Sequence, residues 1–275
     1  MATIEHQLTE SYCFVDDYLK THPELADWRR SNNAEPAFTD AEVITIAVMQ
    51  GCLGCATLAK TYELIAENHA SAFPNLACYK RWIARLHALS EIIGRLVFAC
   101  CLMGSIRLYI MDSKPLPVCR PIRNGRVRLM REDGACFGKS SIGWFFGFKL
   151  HAIIDMDGKI LQALLLPANI QDRHAAEALA EMVDGGIGLG DHGYLGAGFK
   201  DELAEATELL MVTPKDAGQR RNLISTIREK VETVFSQLWA RFIDRIHSRS
   251  WSGLWNTVKL KLLHYNLVTA GLLTP

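Results

Sequence analysis

Long apolar runs are missing from these 275 residues. The longest, Leu96–Met103 and Val43–Met49, fall far short of the roughly 20 residues a helix needs to cross a bilayer. No cationic start leads into an apolar stretch either, since Met1–Glu10 is polar, so no secretory leader is expected. Together these absences set the expectation of a soluble, cytoplasmic protein with no membrane partner. A second metal-ligating pair is also lacking. Of eight cysteines (13, 52, 55, 78, 100, 101, 119 and 136), Cys52 and Cys55 form one C-x-x-C, with no Cys or His pair at zinc spacing. Most lie in apolar, helix-like stretches, where cysteine acts as a small hydrophobe, and free thiols in a reducing compartment are expected. Internal repeats and low-complexity linkers are absent.

Net charge of one sign is absent too, with 30 basic residues against 30 acidic. Taken alone, that balance argues against a polyanionic partner. What is present is segregation. Residues 107–149 hold 9 basic against 3 acidic residues, and residues 214–275 hold 10 against 4. Residues 1–106 (8 against 12) and 150–213 (3 against 11) carry the opposite excess. Both cationic stretches also contain candidate catalytic acids, a coincidence that fits a polyanionic substrate.

The first 104 residues read as helical. Thr39-Asp40-Ala41-Glu42 resembles a capping start, and apolar residues follow at helical spacing from Val43 to Leu53. Tyr62–Asn68 and Tyr79–Leu89 continue the pattern, the latter opening on the basic-aromatic cluster Tyr79-Lys80-Arg81-Trp82 with Arg85. That cluster reads equally as a recognition helix or as a solvated face around a buried Trp. From Ser105 the period changes. Ile106–Met111 is a short apolar strand ending at Asp112, and Trp144–Ile154 and Lys159–Leu166 form a hairpin about Asp157-Gly158. Asp172–Val183 reads as a helix, Ile187–Gly190 and Leu209–Val212 as strands, and Leu223–Ile243 and Leu254–Leu272 as helices. The reading is an α+β protein: a helical region over 1–104, then a mixed sheet flanked by helices over 105–275.

Three acids stand out. Asp112 and Asp191 each follow an apolar strand, 79 residues apart, where the end of a sheet opens into a cleft. They converge if their strands are neighbours. On the long helix, Ile227, Val231, Val234, Phe235, Leu238 and Phe242 form one apolar stripe. At about 100° per residue, Glu229 lies roughly opposite that stripe, and Glu232 lies on its shoulder one turn after Arg228. Gathered carboxylates repel one another unless cations neutralise them. Mg²⁺ or Mn²⁺, hard and oxygen-seeking, suits such a set, and two ions about 4 Å apart serve in-line phosphoryl displacement.

Competing motifs fail on spacing. Gly134–Ser140 (G-A-C-F-G-K-S) has three residues between its glycines where a phosphate loop has four, and it precedes a strand. His151, His174 and His192 have no zinc-like spacing, and Ser113 and Ser236 lack an acid–base pair for nucleophilic work.

Five blocks occur in order: Ile110–Cys119 (I-M-D-S-K-P-L-P-V-C), Phe146–His151, Pro167-Ala168-Asn169, Gly190–Tyr194 (G-D-H-G-Y) and Val231–Leu238 (V-E-T-V-F-S-Q-L). In them the sequence resembles the bacterial insertion-sequence transposases of the DDE type, in the small single-chain group. The resemblance implies a ribonuclease-H-like catalytic region with Asp112, Asp191 and Glu232 as ligands of two Mg²⁺ or Mn²⁺ ions. Arg228 matches the family arginine four residues before the Glu. It also implies binding to terminal inverted repeats through the helical region, cleavage and joining of double-stranded DNA, a homodimer and a nucleoid-associated location. Lys114, Arg120, Arg123, Arg126, Arg128, Lys139, Lys149 and Arg241 are the expected DNA contacts. The sequence departs from the family pattern at Trp239, where a lysine is usual, and at His192, where Lys or Arg is usual. Two rival readings remain: a repair-type nuclease on the same fold, and a non-catalytic DNA-binding protein derived from a transposase.

Overall fold

Alternation of buried and solvated side chains gives way to two-sided burial along Phe145–Ile154, the mark of a strand at the centre of a sheet. The structure is a computed structural model, and it describes residues 2–28, 36–101, 106–123, 126–140, 143–240 and 248–274. Among these, six strands form one sheet: β1 (Leu108–Pro117), β2 (Cys136–Ser140), β3 (Gly143–Ile154), β4 (Ile160–Pro167), β5 (Gly186–Leu189) and β6 (Leu209–Val212). One side of β3 pairs with β1, and its other side is shared by β2 and β4, all antiparallel. The far side of β1 pairs with β5, and β5 with β6, both parallel.

Antiparallel neighbours close through a tight turn. Asp155 Oδ1 accepts from the Asp157 and Lys159 amides at 2.9 and 2.8 Å, and Gly158 supplies the positive φ of 85° that the β3–β4 turn requires. Parallel neighbours need a crossover, and α7 (Ala197–Thr207) makes it between β5 and β6. It shares a buried cluster with α6 (Arg173–Ala180), built on Tyr109, Met111, Ile153, Leu161, Leu209 and Met211 of the strands. The long α8 (Arg221–Ala240) buries Val231, Val234, Phe235 and Leu238, most of the stripe read from the sequence. Phe242 lies outside the described residues. Four strands in antiparallel pairing, β1–β4, followed by two in parallel pairing, β5 and β6, flanked by helices, make this an α+β domain of the ribonuclease-H-like kind.

Two elements differ from the sequence reading. Cys136–Ser140, to which the sequence reading gave no element after rejecting Gly134–Ser140 as a phosphate loop, is strand β2. The first strand does not end at Asp112 but runs on to Pro117, despite prolines at 115 and 117 that usually exclude a central strand. The parallel pairing with β5 stops at Ile110, so beyond it β1 has β3 alone as a partner. The Val118 amide donates to Phe146 O, and donors alternate along an antiparallel strand. Asp112, Lys114 and Leu116 therefore direct their amides to β3, while Pro115 and Pro117 turn their missing donors to the unpaired edge.

The chain divides into two compact units, one holding the sheet with α6–α8 and the other the remaining helices. The latter are α1 (Ile4–Thr21), α2 (Asp40–Cys52), α3 (Leu58–Asn68), α4 (Tyr79–Ala88), α5 (Ser90–Ala99) and α9 (Trp251–Thr269) from Ser252 onward. Thr39 caps α2 with Glu42 in a reciprocal capping box, as its sequence suggested. The sequence reading kept α9 with the sheet, beyond a division near residue 104. In the structure Asn256 Nδ2 donates to Leu86 O at 3.2 Å and Asn266 Nδ2 to Val97 O at 2.7 Å, tying α9 to α4 and α5. α9 is buried on nearly all sides, and such a helix belongs at the centre of a bundle. All eight cysteines are free thiols, and among the described residues no helix is long and apolar enough to cross a membrane.

Candidate active site

Parallel strands β1 and β5 pair as Leu108↔Ile187, Tyr109↔Gly188 and Ile110↔Leu189. The offset is 79 residues, which is the separation of Asp112 from Asp191. Extended by two residues past the last paired position, the register sets Asp191 opposite Asp112 at the carboxyl end of the parallel pair. This is where open α/β sheets place their sites. Asp112 Oδ1 accepts from the Ser113 amide at 2.8 Å, and Asp191 Oδ1 from the Gly193 amide at 2.7 Å. Burial pushes the Asp112 carboxyl up to about 6. The Ser113 amide and Arg228 oppose that rise, and the charges of Asp191 and Asp172 add to it.

α8 passes along this end of β1. Arg228 approaches Asp112 Oδ2 at 3.7 Å, and both side chains are more than four-fifths buried. Two turns further on, the Lys114 ammonium lies 4.9 Å from the Trp239 ring centre and 6.0 Å from that of Phe235. At about 100° per residue, positions 228, 235 and 239 share one narrow stripe of the helix. Glu232 stands within about 60° of each of them and between them along the axis. Its side chain is exposed, as is that of Glu229, but Glu229 lies further round the helix. Trp239, the departure from the family pattern, thus holds a lysine contributed by β1.

A third carboxylate reaches the two aspartates from the start of α6. Asp172 Oδ1 accepts from Ser113 Oγ at 2.8 Å and from Lys149 Nζ at 3.0 Å. His151 Nδ1 is 3.6 Å from the same oxygen, too far for a hydrogen bond. Burial holds the His151 ring below the ordinary histidine range, at about 4, so it is neutral. A Cβ added to Gly193 would stand 2.9 Å from both Asp172 Oδ2 and Asp191 Oδ1, so the two carboxylates close on one point of the turn. Tyr194, fully buried, packs its ring where a Cβ on Gly190 would fall, 2.6 Å away. Burial first, then Asp172, Asp112 and Asp191, raise its hydroxyl above the usual tyrosine range. Among the described residues that hydroxyl and Arg228 Nε are buried without a hydrogen-bond partner.

The sequence-read cations divide. Lys114 borders the acids, while Arg120, Arg123, Arg126, Arg128 and Lys139 stand exposed on and between β1 and β2. Lys149 is more than four-fifths buried and ion-paired to Asp172, so its ammonium is already engaged. Arg241 lies outside the described residues. His192 is exposed. The sequence reading missed Asp172, which looked like a helix start, and Tyr194, which looked like part of a strand-end turn. No local pattern marks either one, since both are defined by neighbours from other strands.

Among the described residues no three acids already stand at metal-holding distance. The chemistry of the donors is nevertheless uniform: carboxylate oxygens around Asp112, with fewer neighbouring cations than anions, which suits a hard divalent ion. The profile of a transposase DDE domain matches residues 104–250, just over half of the chain. No curated protein and no solved structure matches it. With a ribonuclease-H-like sheet inside the matched region, the chain belongs to the insertion-sequence transposases of the DDE type.

Proposed function

We propose that this protein cleaves DNA at the terminal inverted repeats of its own element and joins the freed ends to target DNA, with Asp112, Asp191 and Glu232 as ligands of Mg²⁺ or Mn²⁺. The β1–β5 register, whose 79-residue offset is also the separation of Asp112 from Asp191, supports the reading most directly. The stripe of α8 that touches β1 supports Glu232 over Glu229 as the third acid. Two bound ions would supply Lewis-acid stabilisation of the attacking and leaving oxygens. The chain's own groups supply position and charge. Arg228 offsets the Asp112 charge, and Lys114, held against Trp239, presents its ammonium to a phosphate beside the acids. Arg120, Arg123, Arg126, Arg128 and Lys139 grip the duplex backbone, which positions DNA without reading its sequence. The helical unit binds the ends. Its α4 offers Lys80 and Arg81 to solvent, while Arg85 is held by Asp40 and Trp82 is buried. Two ends brought together for joining require at least a homodimer, working at the nucleoid in the cytoplasm.

The test is the purified full chain with Mg²⁺ and duplexes carrying the sequences that flank its gene. Nicking at the element ends followed by joining to a second duplex is expected. Nicking without joining would favour a nuclease, and binding without nicking would favour a DNA-binding derivative.

A further inference from the structure

Asp172 occupies the N-cap position of α6 yet makes no side-chain capping bond. An Asp at that position ordinarily caps, a contact worth about 1 kcal/mol. Here the carboxylate turns instead toward β1 and β3. One oxygen takes Ser113 Oγ and Lys149 Nζ, and the other faces the Gly193 turn beside Asp191 Oδ1. Ser113 is the residue after Asp112, and its amide already holds the Asp112 carboxylate. Asp172 is therefore bonded to the residue that supports Asp112, within β1, and lies against the turn that supports Asp191, just beyond β5.

The charges around it do not balance. Among the described residues the ion-pair partners of Asp112, Asp172 and Asp191 are the cations Lys149 and Arg228, with Lys114 held against the Trp239 ring, and burial keeps His151 from charging. The Tyr194 hydroxyl is fully buried and has no hydrogen-bond partner among the described residues, and the charges of all three acids act on it. A buried hydroxyl left unsatisfied costs free energy, and a structure built for stability alone would give it an acceptor. The arrangement makes sense if the acids shift slightly when their charge is met by a cation.

We propose that Asp172 is a fourth acid of the site in a positioning role: it clamps Ser113 beside Asp112 and the Gly193 turn beside Asp191, so that both aspartates present oxygens to one divalent cation. This rests on the metal-dependent reading above. Groups that orient metal ligands typically change metal affinity about 10–100-fold when removed.

The experiment compares wild type, Asp172→Asn and Ser113→Ala as full chains. It reads the Mg²⁺ concentration at the midpoint of the thermal-melt shift and, separately, duplex binding without metal. Asp172→Asn is expected to bind duplex as wild type does and to need about 10-fold more Mg²⁺ or beyond. Ser113→Ala, which removes one of the two bonds to Asp172, is expected to move the midpoint in the same direction by less. Should Asp172→Asn fold poorly, the Ser113→Ala midpoint still decides. Wild-type midpoints in both variants would overturn the proposal. A lost Mg²⁺ response in Asp172→Asn beside an unchanged Ser113→Ala would overturn the positioning role by making Asp172 a direct ligand. A wild-type protein whose melt ignores Mg²⁺ would instead remove the metal reading itself, a result distinct from either.

Discussion

Each compact unit buries an aspartate next to an arginine, and the two pairs are built differently. Asp40, at the start of α2 and 7% exposed, receives Arg85 Nε at 2.6 Å, and the same guanidinium also bonds Phe38 O. Asp112 has Arg228 at 3.7 Å, beyond hydrogen-bonding distance, and two further acids act on it. The first pair is closed: the guanidinium bonds the carboxylate directly through Nε and takes a backbone carbonyl as well, a charge-assisted contact suited to a structural role. The second is open, with a cation near enough to moderate the charge and too far to satisfy it. A buried carboxylate left in that condition is a sign of a site that receives something, since stability alone would have drawn the arginine in.

The largest expected effect strikes the open pair. Asp112→Ala, Asp191→Ala and Glu232→Ala should each abolish strand cleavage in a nicking assay while duplex binding persists. Glu229→Ala should cleave as wild type does. If Glu229→Ala is the inactive one and Glu232→Ala is normal, the helix-stripe argument is wrong.

Stability should respond in the opposite order. Removing one partner of a buried pair leaves an uncompensated charge, at about 3–5 kcal/mol, so Arg85→Ala should sharply lower the urea midpoint. Arg228→Ala should cost distinctly less, because Asp112 can take up a proton. Equal losses in the two variants would erase the distinction between closed and open.

The third test uses pH. The Asp112 carboxyl sits at about 6 in the folded protein against an ordinary 3.8, so the folded state binds this proton more tightly than the unfolded state does. Its contribution is favourable below pH 3.8, falls away as pH rises to 6, and leaves a penalty of about 2–3 kcal/mol at pH 7. Asp112→Asn should therefore be more stable than wild type by that order in metal-free buffer at pH 7, with the gain vanishing near pH 4. A difference that does not change across this range would show that the carboxyl is not perturbed.

The smallest effect concerns the exposed arginines. Neutralising Arg123, Arg126 and Arg128 together should flatten the salt dependence of duplex binding by up to about three phosphate equivalents. An unchanged slope in a filter-binding titration would assign the segment to protein–protein contact.

Much of this was legible in the residues. Apolar periodicity separated the helical first hundred residues from the sheet that follows, and two aspartates after apolar runs marked the candidate site because a charged side chain there must leave the core. The angular argument on α8 works from sequence, since helix geometry is fixed by local hydrogen bonds. Other features depended on partners far along the chain. The length of β1 was hidden because proline is compatible with a strand only where one edge is free, and which edge is free depends on where β5 stops. α9 looked like part of the sheet region because it follows it in sequence, and its place was decided by carbonyls on α4 and α5. Lys149 read as a free cation until Asp172 was found beside it. By itself the sequence determined the fold class, the segregation of charge and the two aspartates that follow apolar runs, because periodicity and composition act locally. Only the tertiary structure decided that a 79-residue offset sets those aspartates opposite one another and that Asp172, Ser113, Lys149 and Tyr194 surround them, because strand register and burial are properties of neighbours that the chain brings together from a distance.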